Sequence, residues 1–200
     1  MTLGLLADRD RIDGRAASRG GLRSILHRLL AVSTSGSDDA RSARARQLGQ
    51  VCTVLEGARA VIERGWLQGG WYADARQPRS LAAVGAPKVR PPLVTQVTGA
   101  CLVGAVVHAT CQRDPTAGLI EAAPALDVVW DAWQESRGLG GPGVAGRAAP
   151  REVRAARVRD LIRWNDQPGR NRAEVLGLLD LAVSRAIMEA AGAPVAASLT

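Results

Sequence analysis

Few side chains in this sequence have chemistry to offer. Three cysteines, at 52, 101 and 111, and two histidines, at 27 and 108, supply every thiol and imidazole. Cys101 is the best single candidate for a nucleophile. A helix expected from Gly99 to about Gln112, capped by Thr98, puts it in the first turn, where free amides and the helix dipole favour a thiolate. A cysteine hydrolase also needs a base brought in from another element. His108 lies on the same expected helix, about 10 Å further along at 1.5 Å per residue, and His27 sits in an N-terminal arm. The residue types are present but the spacing is wrong, so Cys101 reads as a small buried hydrophobe. A metal centre fails on the same ground. His108 and Cys111 at i, i+3 can share an ion, but Cys101 is about 15 Å from Cys111 along the axis, and Cys52 would have to complete the set. No metal and no cofactor is expected.

Two polar groupings remain. Trp164-Asn165-Asp166, followed by Pro168, Gly169 and Arg170, is turn-forming. Asp166 and Arg170 are candidates for holding a ligand, and Asn165 for bonding a backbone. The alternative is that Asn and Asp build the turn between two helices while Trp164 plugs the core beneath. Arg151, Arg154, Arg157, Arg159 and Arg163 can form an electropositive ridge, although Glu152 and Asp160 interrupt it and no base-reading aromatic accompanies it. Arg154, Arg159, Arg163, Asp166 and Arg170 are therefore the candidate binding residues. The glycine-rich run from Gly138 to Gly143 contains Pro142 and follows no strand, so it reads as a linker rather than a phosphate cradle. No paired-carboxylate motif, serine elbow or dinucleotide fingerprint is present.

The chain that must position these residues has 200 of them, 46% hydrophobic and 22% charged, with a net charge of +7. That balance excludes wholesale disorder. Of the 26 basic residues only Lys88 is not arginine, and guanidinium forks suit carboxylates and phosphates. With no Phe, one Tyr and five Trp, the core falls to Leu, Val, Ile and Ala around a few large anchors. The most apolar run, Ala100–Val107, is far short of a membrane span. Asp8, Arg9 and Asp10 break any signal-peptide pattern. An odd number of cysteines without a paired spacing points to a reducing, cytoplasmic setting.

Periodicity predicts an all-α protein, a compact bundle of about five to six helices with a basic N-terminal arm. Residues 1–39 read as a flexible arm carrying a short basic amphipathic helix over 21–31. Residues 40–192 read as the helical domain and 193–200 as a tail. Within the domain, Leu48, Val51, Cys52, Leu55, Ala58 and Ile62 mark a helix over about 40–64, closed by Gly65. A long basic loop with four prolines follows over 73–92. Asp114-Pro115 looks like a helix start, and Pro124 like an interruption. Leu126, Val129, Trp130 and Trp133 form the next stripe. Pro150 opens a helix to Trp164, and an Asn171–Glu174 capping box opens the last, which runs to Gly192.

Three blocks, Gly65-Trp66 with Gly69 or Gly70, Gly99-Ala100-Cys101-Leu102-Val103-Gly104-Ala105, and Trp164-Asn165-Asp166 with Pro168-Gly169-Arg170 and Glu174-Val175-Leu176, resemble in order and spacing a family of small helical proteins of actinobacteria and their phages. The resemblance covers roughly residues 45–191. That family carries no established activity, so it implies a source and a cytoplasmic setting but no functional residue. A long segment 75–95 and the arm depart from its pattern. Clean helix patterns without an assembled catalytic set point to a non-enzymatic module that binds another macromolecule, with a protein partner expected. The alternatives are a nucleic-acid-binding accessory or regulatory protein, suggested by the charge, and a thiol-dependent enzyme using Cys101.

Overall fold

Apolar residues recurring every three or four positions from Leu48 to Ile62 bury one face of a long helix, α1, Ser37–Arg64. The computed structural model describes residues 37–74, 97–139 and 149–192. Among them α1 is followed by a short strand β1, Tyr72–Asp74, a second strand β2, Val97–Ala100, and four helices: α2, Leu102–Arg113; α3, Leu119–Ser136; α4, Arg151–Asn165; and α5, Arg172–Ala190. The all-α expectation holds, with a two-stranded antiparallel ribbon as the only sheet among the described residues. None of the described helices is long and apolar enough to cross a membrane. The arm helix over 21–31, the loop from 75 onward, most of the glycine-rich run and the tail lie outside the described residues.

Helix α2 is buried from Leu102 to Cys111 on every side, as its all-round apolar sequence requires. It packs between α1, α3 and α4. Helices α1 and α5 run antiparallel, pinned along their outer edge by Arg44 to Glu189 and by Arg59 to Asp180. Between α3 and its neighbours the bonds are ionic and half-buried. Asp127 receives Arg154 and Arg157 of α4, and Glu135 receives the buried Arg185 of α5.

Three expectations are corrected. Gly99 does not start a helix: it lies in β2, where Tyr72 pairs with Ala100 and Ala73 with Gly99. On its other edge Ala100 exchanges hydrogen bonds with the chain leaving α1, donating to Gly65 O at 3.0 Å and accepting from Leu67 N at 3.1 Å. The crossing is so close that a Cβ on Gly99 would sit 2.9 Å from Gly65 O, and one on Gly65 2.5 Å from Thr98 O. The glycines serve backbone contact, which local propensity does not reveal. Asp114-Pro115 forms a turn rather than a helix start, with Asp114 Oδ1 accepting from Thr116 N at 2.9 Å. Helix α3 begins later, behind Gly118, whose amide donates to Glu121 Oε2. Pro124 does not interrupt α3. Its missing N–H removes one hydrogen bond, while burial of Ala122, Ala125, Leu126, Val129 and Ala132 keeps the helix continuous through it.

Candidate functional site

The three sequence blocks converge on one buried side chain. Asn165, the last residue of α4, is fully buried. Its Oδ1 accepts from Trp66 Nε1 at 2.9 Å and from Leu102 N at 3.1 Å. Its Nδ2 donates to Leu67 O at 2.9 Å and to Asp166 Oδ1 at 2.8 Å. All four capacities of the amide are filled. The side chain therefore ties together the exit of α1, the start of α2 and the α4–α5 turn. Asp166 Oδ1 also accepts from Gly69 N at 3.0 Å, and Gln68 Nε2 donates to the carbonyls of Asn165 and Gln167. Asp166, a candidate ligand residue in the sequence, is thus part of the joint.

Cys101 lies within this joint and is no nucleophile in waiting. It is the N-cap of α2, its Sγ accepting from Gly104 N at 3.3 Å. That amide favours a thiolate, but complete burial outweighs it and pushes the thiol up to about 11. Cys52 is likewise pushed up to about 11 by burial, and Cys111 is raised for the same reason. Gly104 is needed where it stands: a Cβ there would collide with Trp71 O, the carbonyl that accepts from Cys101 N.

His108 is fully buried, with Nε2 at 3.0 Å from Gln112 Nε2. Since the amide nitrogen can only donate, the ring accepts there and carries its proton on Nδ1. That Nδ1 and the nearby Tyr72 hydroxyl have no hydrogen-bond partner, with the two rings 6.3 Å apart. Burial, helped by Arg64, lowers the histidine's affinity for a second proton, and burial raises the tyrosine. No metal-holding group of three or more His, Cys, Asp or Glu exists among the described residues.

The open site is on the other side of Trp164. A cleft of about 720 Å³ lies between the C-terminal ends of α3 and α4 and the start of α5. Trp133, Trp164, Leu178 and Leu181 line it, and Gly177 leaves its wall without a side chain. Arg137, Arg163 and Arg170 stand around it with Asp160 and Glu174. The three arginines differ in commitment. Arg170 lies 4.2 Å over the Trp164 ring and donates to Trp164 O, Gln167 and Glu174, so it is held. Arg137 lies 4.9 Å over the Trp133 ring and its guanidinium makes no hydrogen bond to a described residue. The Arg163 side chain is 78% exposed and its nearest carboxylate, Asp160, is 3.7 Å away, beyond hydrogen-bond reach.

Of the five candidate binding residues, then, Arg163 and Arg170 line the cleft. Arg154 turns to Asp127, Asp166 holds the joint, and Arg159 is exposed on α4 outside the cleft. The expected ridge is split because Arg154 and Arg157 share one carboxylate. Sequence reading missed Trp133, Arg137 and Gly177 as cleft residues. Trp133 looked like part of a core stripe, and stacking of Arg137 on it depends on a rotamer that spacing does not report.

A family model described as "Family of unknown function (DUF6197)" matches residues 46–185. No curated protein and no solved structure matches the chain.

Proposed function

Since this chain belongs to that family of unknown function, no activity comes with membership, and we propose from the geometry that the protein is a non-enzymatic binding module whose α3–α4–α5 cleft receives an acidic, partly apolar segment of a protein partner. One observation carries the reading: Arg137 and Arg163 hold guanidiniums without carboxylate hydrogen bonds at the rim of an apolar cleft. Guanidinium forks suit carboxylates, and the Trp133, Leu178 and Leu181 surface suits an apolar anchor. Cys101 argues against the thiol-enzyme alternative, being buried, with its thiol pushed up to about 11 and no histidine on another element among the described residues.

Nucleic acid is the second reading, favoured by the net charge of +7. The cleft supports it less well. Trp164 is 8% exposed and capped by its own arginine, and Arg137 covers one face of Trp133, so the cleft presents less ring surface than base stacking uses. A cytoplasmic place of work fits the three buried free thiols. The actinobacterial or phage source implied by the sequence motifs, and an arm over 1–39 separate from the domain over 40–192, belong to the same reading.

Fluorescence anisotropy of the full chain tests it with three labelled probes: a peptide alternating Glu and Leu, the same peptide with Lys for Glu, and oligo-dT. The Glu/Leu peptide is expected to bind at least tenfold more tightly than the other two, and less tightly as salt rises. Oligo-dT binding best at low salt would transfer the proposal to nucleic acid.

A further inference from the structure

Helix α3 has unlike ends. Its C-terminal end contributes Trp133 and Arg137 to the cleft. Its N-terminal end exposes two adjacent large apolar side chains, Leu119 at 38% and Ile120 at 70%. Single exposed apolar residues are ordinary, and here two adjacent ones form a small apolar patch on the first turn. Acidic residues flank the pair in sequence, with Asp114 before it and Glu121 after it, both exposed. Each uses one oxygen locally, Asp114 Oδ1 for Thr116 and Glu121 Oε2 for Gly118. Arg113, at the end of α2, is the nearest basic residue in sequence.

An apolar knob bordered by carboxylates complements an apolar cleft at whose rim Arg137 and Arg163 stand without a carboxylate hydrogen bond, beside Asp160 and Glu174. The two cannot meet within one molecule. The run of α3 from Ile120 to Trp133 holds them about 20 Å apart along the axis. The segments outside the described residues do not pair carboxylates with an apolar knob in the same way: residues 75–96 and 140–148 contain basic residues and no acidic one, residues 1–36 have more Arg than Asp, and residues 193–200 contain no charged side chain.

We propose that the cleft's partner is a second copy of this chain, with the Leu119–Ile120 knob of one molecule seated in the Arg137–Arg163 cleft of the next. The proposal rests on the reading of the cleft given above and names its occupant. The contact is head-to-tail, using two different patches, so it does not stop at a dimer unless the rotation between copies closes a ring. Buried Ile120 and Leu119 would meet Leu178, Leu181 and Trp133, and Glu121 and Asp114 would face the guanidiniums. Being exposed, both halves can be changed without disturbing the core.

Sedimentation equilibrium of the full chain from micromolar to millimolar concentration tests this, with circular dichroism as a check on folding. The wild type is expected to gain mass with concentration, less so in high salt. Ile120→Asn and Arg163→Glu are each expected to weaken association at least tenfold. Mixing these two variants restores one intact contact, because Ile120→Asn keeps its cleft and Arg163→Glu keeps its knob, so a one-to-one complex forms and grows no further. A wild type that stays monomeric throughout overturns the proposal, and so does a mixture that fails to associate. If the wild type is monomeric while the Glu/Leu peptide still binds, only self-association falls; if the peptide also fails, the reading of the cleft falls with it.

Discussion

Trp164 and Asn165 are neighbours in sequence and serve opposite parts of the molecule. Asn165 faces inward, where every hydrogen-bonding capacity is filled by protein and nothing is left for a ligand. Trp164 lines the cleft, where the guanidiniums of Arg137 and Arg163 have no carboxylate within hydrogen-bond reach. One region is a closed polar joint that fixes three chain segments. The other is an open surface where two arginines lack a carboxylate hydrogen bond. The difference teaches that polar residues concentrated in a motif are not by themselves a functional site. What separates the two is whether the polar groups are already satisfied.

The largest effect should come from opening the joint. Asn165→Ala leaves the buried Leu102 N and the half-buried Trp66 Nε1 and Leu67 O without their partner. At about 1–3 kcal/mol for each such group, the loss is expected to reach at least about 3 kcal/mol in urea unfolding followed by circular dichroism. A stable variant would mean that the joint is not structural. Gly104→Ala is expected to cost about 1–3 kcal/mol as an overpacked contact, because its Cβ would meet the Trp71 backbone carbonyl and α2 is packed on every side. The same unfolding curves measure it, and an unchanged midpoint would remove the close approach from the account.

Acid acts on the closed part and spares the open one. Burial lowers the folded-state pKa of His108 below the unfolded value of about 6.5. The unfolded chain therefore binds the extra proton first, and stability is full above that value and declines as the pH falls through it. Unfolding midpoints should fall over that window in the wild type and much less in His108→Gln. No histidine lines the cleft, so binding of the Glu/Leu peptide should stay flat while stability falls. A midpoint independent of pH across this window would contradict the buried, neutral assignment of His108.

Much of the fold was legible in the sequence because helical periodicity reports burial directly. The Leu48–Ile62 stripe of α1, the all-round apolar α2 and the Asn171–Glu174 capping box of α5 all appear where their spacing puts them. The ribbon was not legible. Val97–Ala100 is held by pairing with Tyr72–Asp74 and the chain after Gly65, partners distant in sequence, and Gly99 is required by the nearness of another backbone. The joint was half legible: Asn165 and Asp166 announced a turn, but their long-range partners Trp66, Leu67 and Gly69 did not. The cleft was least so, since Arg163 was singled out only as charge and Arg170 only as a ligand candidate of the turn. Hydrogen bonding sorts the held Arg170 from Arg137 and Arg163, and it depends on side-chain placement.

The central claim is that the cleft's uncommitted guanidiniums bind while contributing nothing essential to the fold. An Arg137→Glu/Arg163→Glu double variant tests it most directly, carried through urea unfolding and through anisotropy with the Glu/Leu peptide. The account predicts an unfolding midpoint close to wild type, within about 0.5 kcal/mol as for exposed sites, and affinity reduced at least tenfold. A variant that binds the peptide as the wild type does, or one that loses its fold, would contradict it.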